Sequence, residues 1–243
     1  INYAPVSNTI VVLNEDFGAG LTPVQSPYVH KEWYFNTNST AAYTIYNGYG
    51  QFKQHPVGGI LWQSEYTIAN TFNIYAGSDW SVPADHSGKT NGRMLFVDGA
   101  TSAAKQDVYL RTVNVVPNIP LTFNASFISL VSAAKVAPLS NNPAYYPQVQ
   151  LLLYESEAAY TAGNAPLHQN SIYFVSPSTG VNDWRTQKLT LTGAQVGSRT
   201  QYYAVVRMNN VQSSGHDLGI DDIQITQSIA CEATVTATIA NQV

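Results

Sequence analysis

Along much of this chain the hydrophobic character switches every second residue. Leu121, Phe123, Ala125 and Phe127 alternate with Thr122, Asn124 and Ser126, and Lys188, Thr190 and Thr192 alternate with Leu189 and Leu191. Successive side chains of a strand point to opposite faces, so this period describes strands with one face on a core and the other in water. Runs rich in Val, Ile, Thr, Tyr and Phe, bounded by Gly, Pro, Asn or Asp, cover residues 9–13, 60–62, 93–97, 108–115, 121–130, 148–154, 172–175, 185–191, 202–208 and 220–226. Only 155–160 hints at a helical turn, which Gly163 and Pro166 stop. About ten strands with little helix in 243 residues imply two packed antiparallel sheets. The expected fold is all-β, an antiparallel β-sandwich, with a jelly roll as the economical topology.

Composition removes several alternatives. A chain that is 12% aromatic and 11% charged is neither disordered nor a coiled coil. One cysteine excludes a disulfide-stapled miniprotein. With 11 Lys+Arg, a net charge of −4 and no basic stripe, phosphate neutralisation is poorly served, so nucleic acid is not an expected partner. No apolar run approaches the roughly 20 residues that span a bilayer, so membrane insertion is not expected.

Two regions depart from the rest. Residues 30–82 are loop-rich and aromatic and read as a long insertion carried on a sandwich of residues 1–227. After Gln227 the alternation restarts, with Thr234, Thr236 and Thr238 against Val235, Ala237 and Ile239. Residues 228–243 read as a terminal edge strand or the start of a following module, with Cys231 at the join. A chain that begins at Ile1 is expected to be mature protein or part of a larger multidomain one.

Because carboxylates are scarce, their clustering is informative. Asn14-Glu15-Asp16-Phe17-Gly18 follows the first strand. Asp85-His86-Ser87-Gly88 precedes Asn91-Gly92-Arg93-Met94. Asp217-Leu218-Gly219-Ile220-Asp221-Asp222-Ile223 lies in the last sandwich strand. First and last strands of a jelly roll commonly lie side by side, which brings such acids together. Unneutralised, they would repel one another in a poorly hydrated place. A bound Ca²⁺ resolves this by taking oxygens from carboxylates, carbonyls and water. Within a strand, one of Asp221 and Asp222 should point to the cation and the other to solvent, with Asp222 favoured as the one facing the cation.

The order Glu-Asp-Phe-Gly, Asp-His-Ser, Asn-Gly-Arg-Met, Gly-Ile-Asp-Asp-Ile resembles the MAM-like jelly-roll domains of large secreted Bacteroidetes surface proteins of adhesin type. These in turn resemble calcium-containing carbohydrate-binding modules. The resemblance spans about residues 9 to 226, with Ser87 where the family usually has Thr. It implies a structural Ca²⁺ held by Glu15, Asp16, Asp85, Asp221 and Asp222, and a secreted or cell-surface location.

No catalytic constellation is legible. There is no Gly-x-Ser-x-Gly elbow, no His at zinc-ligand spacing, and no pair of carboxylates marked for glycoside hydrolysis. Sugar-binding surfaces set aromatic faces against the C–H face of a pyranose. The candidates in the insertion are Trp33, Tyr43, Tyr46, Tyr49, Trp62 and Trp80, with Tyr43, Tyr46 and Tyr49 spaced to line a rim. The same rings would serve equally as a mini-core closing a long loop. The expectation is a non-catalytic, calcium-stabilised module that binds a glycan or another extracellular surface ligand. A structural spacer or protein-binding adhesin domain is the alternative, and a glycoside hydrolase ranks below both.

Overall fold

The computed structural model describes residues 6–55, 60–73, 80–99, 106–133, 143, 146–209 and 216–231. Its strands are β1 (Val6–Glu15), β2 (Tyr34–Phe35), β3 (Tyr43–Tyr46), β4 (Phe52–His55), β5 (Glu65–Ala69), β6 (Met94–Val97) and β7 (Asp107–Asn114). After them come β8 (Leu121–Ser129), β9 (Gln148–Tyr154), β10 (His168–Gln169), β11 (Tyr173–Phe174), β12 (Arg185–Leu191), β13 (Gln201–Met208) and β14 (Leu218–Cys231). Two short helices, α1 (Glu157–Thr161) and α2 (Gly193–Val196), lie on connections. The fold is the expected all-β sandwich.

One sheet has the order β12-β8-β14-β6-β5-β2, with β1 also paired to β14. The other has the order β10-β9-β13-β7, with β11 on β9. From β6 onward the main strands alternate between the sheets, β6, β8, β12 and β14 in one and β7, β9 and β13 in the other. This is jelly-roll connectivity. The alternation in β8 is realised as read, with Leu121, Phe123, Ala125 and Phe127 buried in the core between the sheets. Facing them from the second sheet are Tyr109, Leu151, Leu153, Tyr202, Ala204 and Val206.

Residues 30–82 are more than an excursion. β5 pairs antiparallel with β6, and all five of its residues are buried. β2 adds to it in parallel. Among the described residues, 60–62, read as a strand, carry an isolated bridge from Ile60 to Asn73 rather than a strand. The hairpin β3–β4 forms a separate two-stranded sheet. Helix α2 was not legible as a helix in the sequence, although Thr192 and Gln195 form a capping box at its start.

β14 organises the larger sheet. One of its edges pairs with β8. The other pairs first with β6, over Leu218 to Ile220, and then with β1, from Ile223 to Cys231. Where the partner changes, the β8 register shifts between Asp221 and Gln224, and Asp222 adopts φ 47°. This is a β-bulge, an extra residue that bends a strand and re-aims its side chains. β14 continues through Cys231; residues 232–243, the bulk of the proposed terminal strand or module, lie outside the described residues.

Candidate functional site

The bulge assembles an acidic corner from three distant segments. β1 ends at Glu15, and a tight turn follows with Phe17 at φ 53° and Gly18 at φ 70°. Asp16 Oδ1 accepts from Gly18 N at 2.9 Å, closing that turn. The loop before β6 docks against it, with Arg93 N donating to Gly18 O and Gly20 N to Asn91 O. In this loop Asp85 Oδ2 accepts from Ser87 Oγ and Lys89 N, both at 2.7 Å. The Asp85 carboxylate lies so close to the Gly92 backbone that a Cβ there would collide with it.

The third segment is the bulge itself. Asp221 is fully buried; its Oδ1 accepts from Asp222 N at 2.8 Å and its Oδ2 from His86 N at 3.1 Å. Asp222 Oδ2 lies 2.6 Å from His86 Nδ1. A carboxylate can only accept, so this contact puts a proton on Nδ1. Both acids therefore reach the same loop. The expectation that they face opposite sides fails because the bulge breaks the period of two; Asp221 is the more deeply buried of the two.

The five predicted metal residues do not all converge. Asp16, Asp85, Asp221 and Asp222 share the corner. Glu15 turns away: its Oε1 accepts from Phe17 N, and its Oε2 from Tyr109 Oη at 3.4 Å, with Arg111 3.6 Å away. Among the described residues no three His, Cys, Asp or Glu side chains already form a metal-holding group. Positive charge comes instead from Lys89, which pairs with Asp16 and also feels Asp85 and Asp222. Sequence reasoning missed Lys89, whose only signal was its place directly after the Asp85-His86-Ser87-Gly88 motif. The hydrogen bond from Lys89, then that from Gly18, holds the Asp16 carboxyl below the usual range. The Asp85 Oδ1 atom is buried without a hydrogen-bond partner. An oxygen ligand left orphaned in this way suits a hard cation in kind.

The aromatic candidates separate into structural rings and exposed ones. Trp33 is 2% exposed and donates from Nε1 to Asp107 O at 3.0 Å. Tyr43 donates to Asn36 Oδ1 at 2.8 Å. Trp80 packs edge-to-face on Phe72 and hydrogen-bonds Asp217. These three hold the fold together, which removes them from the ligand set. Trp184 likewise packs on a buried cluster of Leu61, Phe72, Met94, Phe96 and Leu130 and donates to Ala84 O.

Tyr46 and Tyr49 are 59% and 56% exposed, and Trp62 is 39% exposed. In β3–β4 the buried Ile45 faces Lys53, whereas Tyr46 is directly opposite Phe52 and Thr44 opposite Gln54. Phe52, which sequence reasoning passed over, is 71% exposed. Two aromatic rings and two polar side chains thus share the outer face of the hairpin. Asn47 fixes the turn: its Oδ1 accepts from Tyr49 N and Gln51 N, both at 3.0 Å, and its Nδ2 donates to Glu32 O. Lys53 reaches the buried Glu65 at 3.2 Å and donates to Gln63 O at 2.7 Å.

A second carboxylate pair was not foreseen. Asp98 and Asp217 hydrogen-bond each other beside the end of β6. Burial, then the neighbouring Asp217, raises Asp98 well above the carboxylate range, and burial pushes Asp217 up to about 6. Acids in direct contact are closer than the roughly 5–10 Å separation that glycoside hydrolysis uses.

The acidic corner has a pH signature. Burial, and after it the charges of Asp222 and Asp85, push the Asp221 carboxyl from 3.8 up to about 8. The folded value is the higher, so the stability this group contributes is full below the unfolded value. It is lost as pH rises towards about 8, by up to ~1.4 kcal/mol per pH unit. In chelated buffer, Asp221→Asn should flatten the fall of melting temperature between pH 4 and 8 relative to the parent. Parallel curves for the two proteins would contradict the assignment.

No protein-family model matches the chain, and no curated protein matches it. It does resemble solved structures. One is a Stig cyclase from Fischerella sp. TAU in complex with an indole compound, at 11% identity over 93% of this chain and 100% of that one, TM-score 0.49. Another is the sugar-binding C-terminal domain of EclA, at 13% identity over 60% of this chain and 89% of that one, TM-score 0.37. A third is the K3 adhesin domain of Lys-gingipain from Porphyromonas gingivalis W83, at 11% identity over 90% and 99%, TM-score 0.33. At these TM-scores the likeness carries nothing about ligand or activity.

Proposed function

We propose that the chain is a non-catalytic, calcium-stabilised binding module of a secreted or cell-surface bacterial protein, and that it binds glycans through the outer face of the β3–β4 hairpin. The observation that carries this reading is the exposed ring pair Tyr46 and Phe52, set directly opposite each other, with Tyr49 in the adjoining turn. Exposed apolar side chains grouped on an ordered element mark contact surfaces more often than isolated ones do. A pyranose presents an apolar C–H face to such rings and hydroxyls to groups such as Thr44 and Gln54. A hairpin pinned at Asn47 and Lys53 presents its rings without first having to be ordered, which lowers the entropy cost of binding. Among the described residues no helix is long and apolar enough to cross a membrane.

Calcium belongs to the same proposal. Asp16, Asp85, Asp221 and Asp222 would hold it, and it would supply positive charge in addition to that of Lys89. Its role is structural: it would tie the end of β1, the loop before β6 and the β14 bulge together.

Binding to immobilised polysaccharides and a glycan array, measured with Ca²⁺ present, tests the ligand. The parent should bind, and Tyr46→Ala/Phe52→Ala should lose binding with an unchanged melting temperature, since both rings are exposed. No retention on any glycan would overturn the reading in favour of a protein-binding adhesin. For the metal, a cation that binds only the folded state at a hundred times its Kd adds about 2.7 kcal/mol. EDTA should lower the melting temperature accordingly, and Asp85→Asn should abolish the difference. Identical melting with and without chelator, and no ion in native mass spectra, would remove calcium from the account.

A further inference from the structure

Beside the hairpin turn lies a cleft of about 420 Å³. It is small among ligand clefts, which run roughly 300–1,000 Å³, and suits a single sugar unit better than a stretch of polymer. The segment that forms one side of it is held to both sheets, Val24 N donating to Ile68 O and His30 N to Val108 O. Trp33 and Tyr66, both almost fully buried, form its floor, Gln25, His30 and Lys31 contribute polar groups, and Gly48 of the hairpin turn closes another side. The cleft adjoins the proposed glycan surface, because the Tyr49 ring meets the His30 ring edge-on at 6.3 Å.

The polar groups differ in what they offer. His30 Nδ1 accepts from Glu32 N at 3.4 Å, which leaves Nε2–H as the donor of that ring. Burial lowers the pKa of His30, against the opposing pull of Asp107 and Glu32, so the ring is neutral at pH 7 and brings a hydrogen bond rather than a charge. Among the described residues Lys31 is the one cation lining the cleft. Its stem packs on Gly48, where a Cβ would come within 2.8 Å of Lys31 Cβ, and Gly48 N donates to Lys31 O at 2.8 Å. Lys53, Lys89, Arg111, Arg185 and Arg207 are all in ion pairs; among the described residues Lys31 is in none.

We propose that this cleft takes a carboxylate-bearing sugar, a uronic acid unit of an acidic glycan, with the Lys31 ammonium as its counter-charge and Gln25 and the His30 ring as hydrogen-bonding partners for its hydroxyls. The inference rests on the glycan-binding reading above and narrows it to one class. A single point charge matches a monoanion. Sulfate and phosphate are more often met by the fork of an arginine, and none lines the cleft among the described residues.

Calorimetric titration with short oligosaccharides of galacturonic, glucuronic and mannuronic acid, each beside its methyl ester, tests this at fixed Ca²⁺. The acid form should bind about tenfold more tightly than its ester, the scale of one charge-assisted hydrogen bond, and the advantage should shrink as salt rises. Lys31→Met should remove the advantage, leave ester binding as it was, and melt like the parent. Equal affinity for acid and ester, or a preference that survives Lys31→Met, would overturn the cleft assignment and leave glycan binding standing. Failure to bind any glycan, charged or neutral, would overturn both.

Discussion

The partner change along β14 is the constraint on which the rest depends. This strand keeps β8 on one edge while its other edge passes from β6 to β1. A strand cannot serve two successive partners without a break in its ladder. The break falls on Asp221 and Asp222, where Asp222 takes a left-handed conformation that aspartate tolerates better than most residues. The amide of Asp222 is satisfied by Asp221 itself, and the His86 amide supplies a second donor to the same carboxylate. Two acids are thereby turned on one loop in a place that burial makes hostile to charge. Counter-charge at this corner thus joins the chain's beginning, middle and end.

The hairpin obeys a different economy. Its inner face is fixed by Ile45 in the core and by Lys53 on the fully buried Glu65, whose other oxygen accepts from Asn36 Nδ2 at 2.8 Å and from Trp62 N at 3.1 Å. A buried carboxylate with these partners is strongly placed, because removing the Lys53 ammonium would strand its charge away from water. The exposed rings of Tyr46 and Phe52 therefore sit on a rigid support. The aromatic wealth of residues 30–82 divides between that support and the surface it presents.

What was legible in the sequence follows from this physics. β8 and β12 announce themselves by alternation because one face of each meets the core. β5 does not: buried throughout, and opening on a glutamate, Glu65-Tyr66-Thr67-Ile68-Ala69 has no polar face to show. The convergence of Asp16, Asp85 and the Asp221–Asp222 pair was readable from the expected nearness of first and last strands. The exclusion of Glu15 was not, since it depends on Tyr109 and Arg111 across the fold. Nor was the bulge, because a strict period of two is what a bulge violates. Trp33 and Tyr46 look alike as sequence letters; only the strand register and the Asp107 carbonyl tell a core donor from an exposed platform.

Amide hydrogen exchange with and without Ca²⁺ tests most directly whether the acidic corner is a cation-dependent junction. Saturating Ca²⁺ should slow exchange at residues 16–20, 85–93 and 221–224 together, because one ion would tie all three segments, while the hairpin amides of 43–55 stay as they were. Exchange unaltered at the corner, or slowed evenly across the whole chain, would contradict a junction built at the β14 bulge.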